Sequence, residues 1–476
     1  MLTAVPENSG RIRQAELLAG LPDPWPEPAL VEIQRLLKSD DRTVVVLDDD
    51  PTGTQTVHGV TVLTDWSIDT LQCEFALCSR VFFILTNSRA LSEPDARRLT
   101  RSLAENLRDA ARLAQREFVV ISRSDSTLRG HFPAETDELA AMLGPFSATF
   151  LLPYFDAGGR LTIGDQHYVA EDGWLTPAGE TPFARDATFG YRHSNLRDWI
   201  SEKSHGRISA NEIESITLAE LRESGPSAVA TRLGSLPEGT VAVVNAAHRR
   251  DMEVFTLAAL MAEHGGRRFL YRSAASFAGF RAGIAPRPLL ERAEITLHAD
   301  AATGGLVVVG SHVPKTSAQL EHYRQHRQPE AICLEAGRLL NPESRDGEIA
   351  RAAQAADHSI GAGRDTVLFT SRDLISGSTP NDSLAISRSI SDALVATLRS
   401  ITRQPRWVVA KGGITSSDIA TRALVTKRAE VLGQIHPGVP LWRLDPQSRW
   451  PGIPYVVFPG NVGDAAALTA AIARLP

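Results

Sequence analysis

The stretch VVVLDDDPTGT, Val44 to Thr54, constrains the fold more than any other. Val44 to Leu47 is a short β-branched and aliphatic run, the pattern of a buried strand. Asp48, Asp49 and Asp50 follow without a spacer, and Pro51-Thr52-Gly53 turns the chain. Three carboxylates at one strand end repel each other. Such a group persists where a cation, a hydroxyl or a proton meets it. In open α/β sheets the carboxyl ends of the strands are where ligands sit. A solvated acidic loop capping the next element is the plain alternative.

The same grammar recurs. Phe118 to Ile121 is an apolar strand running into SRSDSTLRGH, Ser122 to His131. Between these, Val81 to Leu85 predicts a buried strand ending in Thr86-Asn87-Ser88-Arg89. Pro94 to Arg116 has helical spacing, with Leu99, Leu103, Leu107 and Ala111 on one face and a set of arginines for solvent. Strand, helix, strand in this order predicts a parallel sheet with helices on its faces. Further strands are predicted at Val57 to Leu63, Thr149 to Leu152 and Val241 to Val244, and a helix at 132–143. Residues 153–200, rich in Gly, Pro and aromatics, show little periodicity and read as a long functional loop. After residue 305, VVVGS at Val307 to Ser311, AKGGITSSD at Ala410 to Asp418 and FPGNVGD at Phe458 to Asp464 again place a turn after an apolar strand.

With 476 residues the chain exceeds one ordinary core. The organisation expected is an N-terminal arm over residues 1–40 with a short helix at Ala29 to Lys38, a first domain over 41–285, and a second over 303–476. Gly279 to Pro288 reads as a linker. Each domain is expected to be α/β, a mainly parallel sheet flanked by helices, with a ligand cleft between the two. A net charge of −6 argues against a nucleic-acid binder, whose footprint is a basic stripe. Cys73, Cys78 and Cys333 form no disulfide framework, and the first two are expected to be core thiols. No apolar signal segment and no membrane-length apolar run is present, so a cytoplasmic location is expected.

Taken in order and spacing, these segments resemble the four-carbon acid sugar kinase family, whose members phosphorylate erythronate, threonate, 3-oxo-tetronates and related acids with ATP. The resemblance spans roughly residues 42–470. It implies nucleotide contacts from Ser311, from the Gly412-Gly413-Ile414-Thr415 turn, and from Gly460 with Asn461. Glycine lets backbone N–H groups approach a polyphosphate, and Lys411 can add a point charge. Neither a P-loop nor a dinucleotide fingerprint is present, and plain helix capping is the alternative for each turn. Ile414 stands where an acidic residue is frequent in the family, which leaves position 414 its backbone contact alone.

The resemblance assigns the sugar acid to the first domain. A tetronate needs a cationic fork for its carboxylate and acceptors for its hydroxyls. Arg123, Arg129 and Arg160 are the fork candidates. Asp49, Thr52, Gly53 and Gly130 complete the substrate-binding set. Asp125 and Asp50 are the candidates to orient or accept the proton of the attacking hydroxyl. Against this stand Asp125 as an N-cap over Ser126-Thr127 and Arg129 as its structural partner. His58, His131 and His167 read as structural, because no metal-ligand spacing exists. Mg²⁺ is implied by phosphoryl transfer, with Asp464 as one candidate ligand. The partners expected are a small sugar acid and ATP, without nucleic acid or membrane, and a homo-oligomer is compatible. A hydroxy-acid dehydrogenase using NAD and a non-catalytic sugar-acid sensor are the rival readings. Nicotinamide absorbance and ADP release across candidate acids separate them.

Overall fold

The computed structural model describes residues 10–295, 302–372 and 380–476. Two compact units emerge. One contains the chain up to Gly53 together with Trp66–Pro286, the other Thr54–Asp65 together with Arg287–Pro476. Residues 54–65 therefore group with the second unit, although they lie inside the span 41–285 expected for the first. The reason is strand pairing: Val60–Leu63 runs antiparallel to Arg428–His436, with Val62 opposite Ala429.

The first unit is built on a seven-stranded, wholly parallel sheet. Its order is Glu214–Ile216, Thr240–Val244, Ala148–Leu152, Phe269–Ser273, Phe118–Arg123, Thr43–Asp48 and Val81–Leu85. All six residues of Thr43–Asp48 are buried, as a central parallel strand covered on both faces requires. The chain goes from Thr43–Asp48 to Val81–Leu85 on one side, then crosses to Phe118–Arg123 on the other. Chain direction through the sheet thus reverses at Thr43–Asp48, where α/β sheets open a crevice at their carboxyl ends. Register brings those ends together: Asp48 lies opposite Leu85 and Arg123, and Ser273 opposite Arg123 and Leu152.

Helix Glu93–Leu113 covers one face. Ser92 caps it, accepting from Asp95 N, and Leu103, Leu107 and Ala111 are buried with Ala96, Thr100, Ala104 and Ala110. Its arginines pair outward, Arg97 with Glu93 and Arg98 with Asp95. The arm wraps the body. Arg250 donates to the carbonyls of Trp25 and Pro26, and helix Leu30–Leu37 buries Ile33 and Leu37 against Leu257 and Leu260.

Three expectations are corrected here. Residues 153–200 are not one irregular loop. Arg160–Ile163, Gln166–Glu171 and Trp174–Pro177 form an antiparallel ribbon joined by Ile12–Arg13, and Asn195 caps helix Leu196–Lys203. Gly279 to Arg281 is not linker but the end of helix Ala275–Arg281, whose residues are all buried. Cys73 and Cys78 are exposed rather than core thiols. Helix Ile68–Ala76 buries Leu71, Glu74 and Phe75, which turns Cys73 outward, and Cys78 sits at positive φ just beyond its end.

The second unit holds a mixed sheet. Five parallel strands are ordered Pro454–Phe458, Val408–Lys411, Leu306–Val309, Thr366–Thr370 and Glu330–Leu334. Val439–Leu444, Arg428–His436 and Val60–Leu63 extend it antiparallel. Here the reversal falls between Leu306–Val309 and Val408–Lys411, whose ends lead into Ser311 and Gly412. Among the described residues, no helix is long and apolar enough to cross a membrane.

Candidate functional site

Four aspartates and four arginines meet at the carboxyl ends of the first sheet. Asp48 and Asp49 are almost fully buried. Arg123 Nη1 donates to Asp48 Oδ1 at 2.8 Å. Burial raises the Asp48 carboxyl to about 7 against the pull of Arg123, and the adjacent Asp49 and Asp50 add to the rise. Gly53 lies directly on this carboxylate: a Cβ there would stand 1.9 Å from Asp48 Oδ2. Asp49 is clamped by Arg89 through Nε and Nη2 and accepts from Ser124 Oγ at 2.6 Å. Gly130, at φ +135°, folds over the same group, and a Cβ would meet Ser124 Oγ at 2.3 Å.

Asp50 and Asp125 are the more open acids. Asp50 Oδ1 accepts from Thr52 N at 2.8 Å and from the Thr52 hydroxyl, and Arg89 Nη1 lies 3.5 Å from its Oδ2. Burial opposes ionisation of Asp50, but Arg89, Arg123 and Thr52 outweigh it and lower its pKa. Asp125 Oδ2 accepts from Arg129 Nε at 2.8 Å and from the Thr127 hydroxyl. Burial again opposes ionisation, yet Arg89 and Arg129 hold this carboxyl well below the usual range. Both hydrogen bonds fall on Oδ2, which leaves Oδ1 as the acceptor with spare capacity. The turn is pinned from below by His167. Its Nε2 lies 2.8 Å from the Ser126 carbonyl and its Nδ1 3.0 Å from Thr162 Oγ1. Burial lowers its pKa to about 4, so the ring is neutral, donating through Nε2 and accepting at Nδ1. A small cavity opens beside the cluster, its lining including Ser124, Asp125, Leu128, Arg129, Leu151 and Trp199.

The second unit's strand ends carry almost no charge. Gly310, Gly412 and Gly460 line up around Ser311. A Cβ on Gly310 would stand 2.3 Å from Thr415 Oγ1, one on Gly412 3.1 Å from Ser311 Cβ, and one on Gly460 3.2 Å from Ser311 Oγ. Gly412, at φ +119° and ψ 141°, has a backbone geometry close to glycine-only space. Gly413 opens helix Gly413–Asp418, whose Ser416 hydroxyl bonds back to Ala410 and Gly412 carbonyls at 2.8 Å each. The Gly460 carbonyl accepts from Thr316 Oγ1 at 3.1 Å. Lys411 is fully buried, its Nζ 2.6 Å from the Pro459 carbonyl and 4.1 Å from the Phe458 ring centre. Desolvation lowers its pKa to about 7, with Lys315 adding to the fall.

Comparison with known proteins finds two family models. Residues 44–281 fit the sugar-binding N-terminal domain model, and residues 306–468 the nucleotide-binding C-terminal domain model. The chain belongs to the four-carbon acid sugar kinase family. A D-erythronate kinase of Heliobacterium modesticaldum is 26% identical over 282 residues, a match spanning 58% of each chain. Solved proteins from Salmonella typhimurium LT2 and Haemophilus influenzae share the fold. Their TM-scores are 0.67 and 0.62 at 15% and 16% identity, each over 91% of this chain and 100% of theirs.

Within this family member, the structure groups Asp49, Asp50, Thr52, Gly53, Asp125, Arg129 and Gly130 as one constellation. Arg123 is placed otherwise than a fork requires: it is buried and committed to Asp48. Arg160 comes to the same region from the antiparallel ribbon, its guanidinium 5.7 Å from the Phe183 ring that Arg129 also approaches at 5.1 Å. Ser311, Gly412 and Thr415 cluster in the second unit, with Ile414 60% exposed. Asn461 is exposed on the following turn. Asp464 is exposed too, and its Oδ1 accepts from Ala466 N. Among the described residues, no group of three or more His, Cys, Asp or Glu could hold a metal ion.

Two functional candidates escape the sequence reading. Arg89 bridges Asp49 and Asp50, and its charge helps keep Asp125 ionised. Its signal was the position after a predicted strand end, the same that singled out Asp48 and Asp125. Phe183 lay in a stretch without periodicity, where no local pattern marks a ring that two arginines share.

Proposed function

We propose that this chain is an ATP-dependent kinase that phosphorylates a hydroxyl of a four-carbon sugar acid, a tetronate or a 3-oxo-tetronate. The observation that carries the reading is the constellation at the first sheet's switch point. It keeps two partly open carboxylates, Asp50 and Asp125, ionised beside guanidinium groups. A polyhydroxy acid is complementary to such a surface: its hydroxyls donate to the carboxylates and its carboxylate accepts from arginine. Arg129 and Arg160 serve as the fork for the acid. Asp49, Thr52, Gly53 and Gly130 shape the floor beneath it.

Asp125 orients the attacking hydroxyl and receives its proton, through the Oδ1 that its neighbours leave unused. Its low pKa suits this role in phosphoryl transfer, where positioning and charge stabilisation dominate over strong proton abstraction. Asp50, with both oxygens engaged by Thr52 and Arg89, holds a second hydroxyl. In the second unit, Ser311, Gly412, Gly413, Thr415 and Gly460 form a side-chain-poor cradle that suits a triphosphate, with Asn461 at its edge. Lys411 acts from inside, holding the Pro459-Gly460 carbonyls. Mg²⁺, carried mainly by phosphate oxygens, would neutralise the transferring group.

A coupled ADP-release assay across four-carbon acids tests the reading. Turnover dependent on both ATP and one such acid is expected. ADP release indifferent to every acid, or hydride transfer to a nicotinamide in its place, would overturn it.

A further inference from the structure

The segment Pro182 to Tyr191 grips the Asp125–His131 turn at four points. The Tyr191 hydroxyl donates to the Thr127 carbonyl at 2.8 Å. The Phe189 ring meets His131 edge-on at 4.9 Å. Asp186 Oδ2 lies 3.7 Å from Arg129 Nη1, while its Oδ1 accepts the backbone N–H groups of Thr188 and Phe189 at 2.9 and 3.0 Å. Phe183 is the fourth contact. Its ring takes the Arg129 guanidinium at 5.1 Å and the Arg160 guanidinium at 5.7 Å.

Two guanidinium groups at one ring is an unfavourable arrangement unless something offsets their repulsion. The ring face attracts each cation, which accounts for part of it. Asp125 and Asp186 engage Arg129, but among the described residues Arg160 Nη1 bonds only the Gly158 carbonyl, and its buried Nε has no hydrogen-bond partner. Burial lowers the Arg160 pKa and the neighbouring Arg129 pushes the same way, while Asp125 and Glu171 offset this only in part and neither bonds the guanidinium. A carboxylate reaching both arginines would supply the missing acceptor and cancel the like-charge cost.

We propose that Phe183 is a positioning residue that presents Arg129 and Arg160 together to the carboxylate of the acid substrate. The proposal rests on the sugar-acid kinase reading and deepens it: the ring sets acid recognition and takes no part in phosphoryl transfer. Phe183 itself touches the two arginines and not the reacting atoms. Its ring is half-buried, and melting temperature reports whether its replacement disturbs the fold.

Steady-state kinetics and calorimetric binding of four-carbon acids to full-length Phe183→Leu and Phe183→Tyr decide the matter, with melting temperature as the folding control. In Phe183→Leu the KM and Kd for the acid should rise about tenfold, with kcat and the KM for ATP unchanged. Phe183→Tyr keeps the ring face and should restore parental values. Unchanged acid affinity in Phe183→Leu overturns the proposal. So does a loss that tyrosine fails to restore, or one shared equally by kcat and ATP. If the unaltered protein binds no four-carbon acid at all, the kinase reading falls and this proposal with it. If it binds and turns over while Phe183→Leu matches it, only the proposal falls.

Discussion

The two units solve the same geometric problem with opposite chemistry. Each places turns at the carboxyl ends of parallel strands where chain order reverses. In the first unit those turns are filled with side-chain charge: Asp48, Asp49, Asp50 and Asp125 against Arg89, Arg123, Arg129 and Arg160. In the second they are nearly bare, with Gly310, Gly412 and Gly460 around two hydroxyls and one lysine turned inward. A side-chain site discriminates, because each hydroxyl of a small ligand must meet a fixed partner. A backbone site accommodates, because successive N–H groups can approach any phosphate chain. The difference predicts that lesions in one unit leave binding in the other alone.

The largest effect is expected at Asp125. Asp125→Asn keeps the size and most contacts and removes the acceptor, so kcat should fall by about 10²–10⁴. The KM for ATP should hold. A merely structural capping role predicts something else: about 1 kcal/mol of stability lost and near-normal turnover. Asp50→Asn is the discriminating control. If it abolishes turnover while Asp125→Asn does not, the two acids exchange roles.

Next in size is Arg129→Lys, which retains the charge and loses the planar fork. Loss of charged hydrogen bonding of about 1.5–3 kcal/mol should appear in the KM for the acid. A variant with unchanged kinetics and a lowered melting temperature would make Arg129 a partner of Asp125 alone. The mirror lesion is Gly412→Ala. A side chain at φ +119° costs about 1–3 kcal/mol and would stand 3.1 Å from Ser311 Cβ. ATP binding should weaken while calorimetric binding of the acid is retained. Equal losses for both ligands would dissolve the contrast between the units.

The comparison also explains what was legible in the sequence. Strand ends rich in Asp, Arg and Gly announce themselves locally, so Asp48–Asp50, Ser124–Gly130 and the Gly412 turn could be read without coordinates. Parallel strands buried on both faces stood out as apolar runs. What could not be read was pairing across distance. Val60–Leu63 looks like any strand of the first unit until its partner, Arg428–His436, is known to lie in the second, with Val62 opposite Ala429. Arg123 and Arg160 are both arginines near strand ends, and only packing shows that one is sealed against Asp48 while the other reaches Phe183. The antiparallel ribbon at 160–177 was masked by its short strands: Leu161–Ile163 and His167–Val169 are buried in consecutive runs, so no period-two alternation develops. Helix Pro342–Gly361 buries a stripe of Ile349, Ala352, Ala353, Ala356 and Ile360, but most of it is alanine, which is also spread over the other faces and blurs the period.

The smallest predicted effect concerns the buried lysine at the second unit's strand ends. Lys411 Nζ is buried against two backbone carbonyls and the Phe458 ring, and among the described residues no carboxylate pairs with it. Its pKa falls to about 7 in the folded protein, whereas an unfolded lysine titrates near 10.4. Between those values the unfolded chain binds more protons than the folded one, so stability rises with pH across that window. Below about pH 7 both states are protonated and the full cost of burying the charge is felt. From pH 7 to pH 9 the gain attributable to this residue is about 2 kcal/mol at most. Lys411→Met matches the length and removes the titration. Urea unfolding at pH 7 and pH 9 should show the parent gaining more than the variant across this interval. If parent and variant change by the same amount, Lys411 stays charged at neutral pH. The second unit's strand ends would then hold a fixed buried positive charge, and the contrast with the charge-filled first unit would narrow.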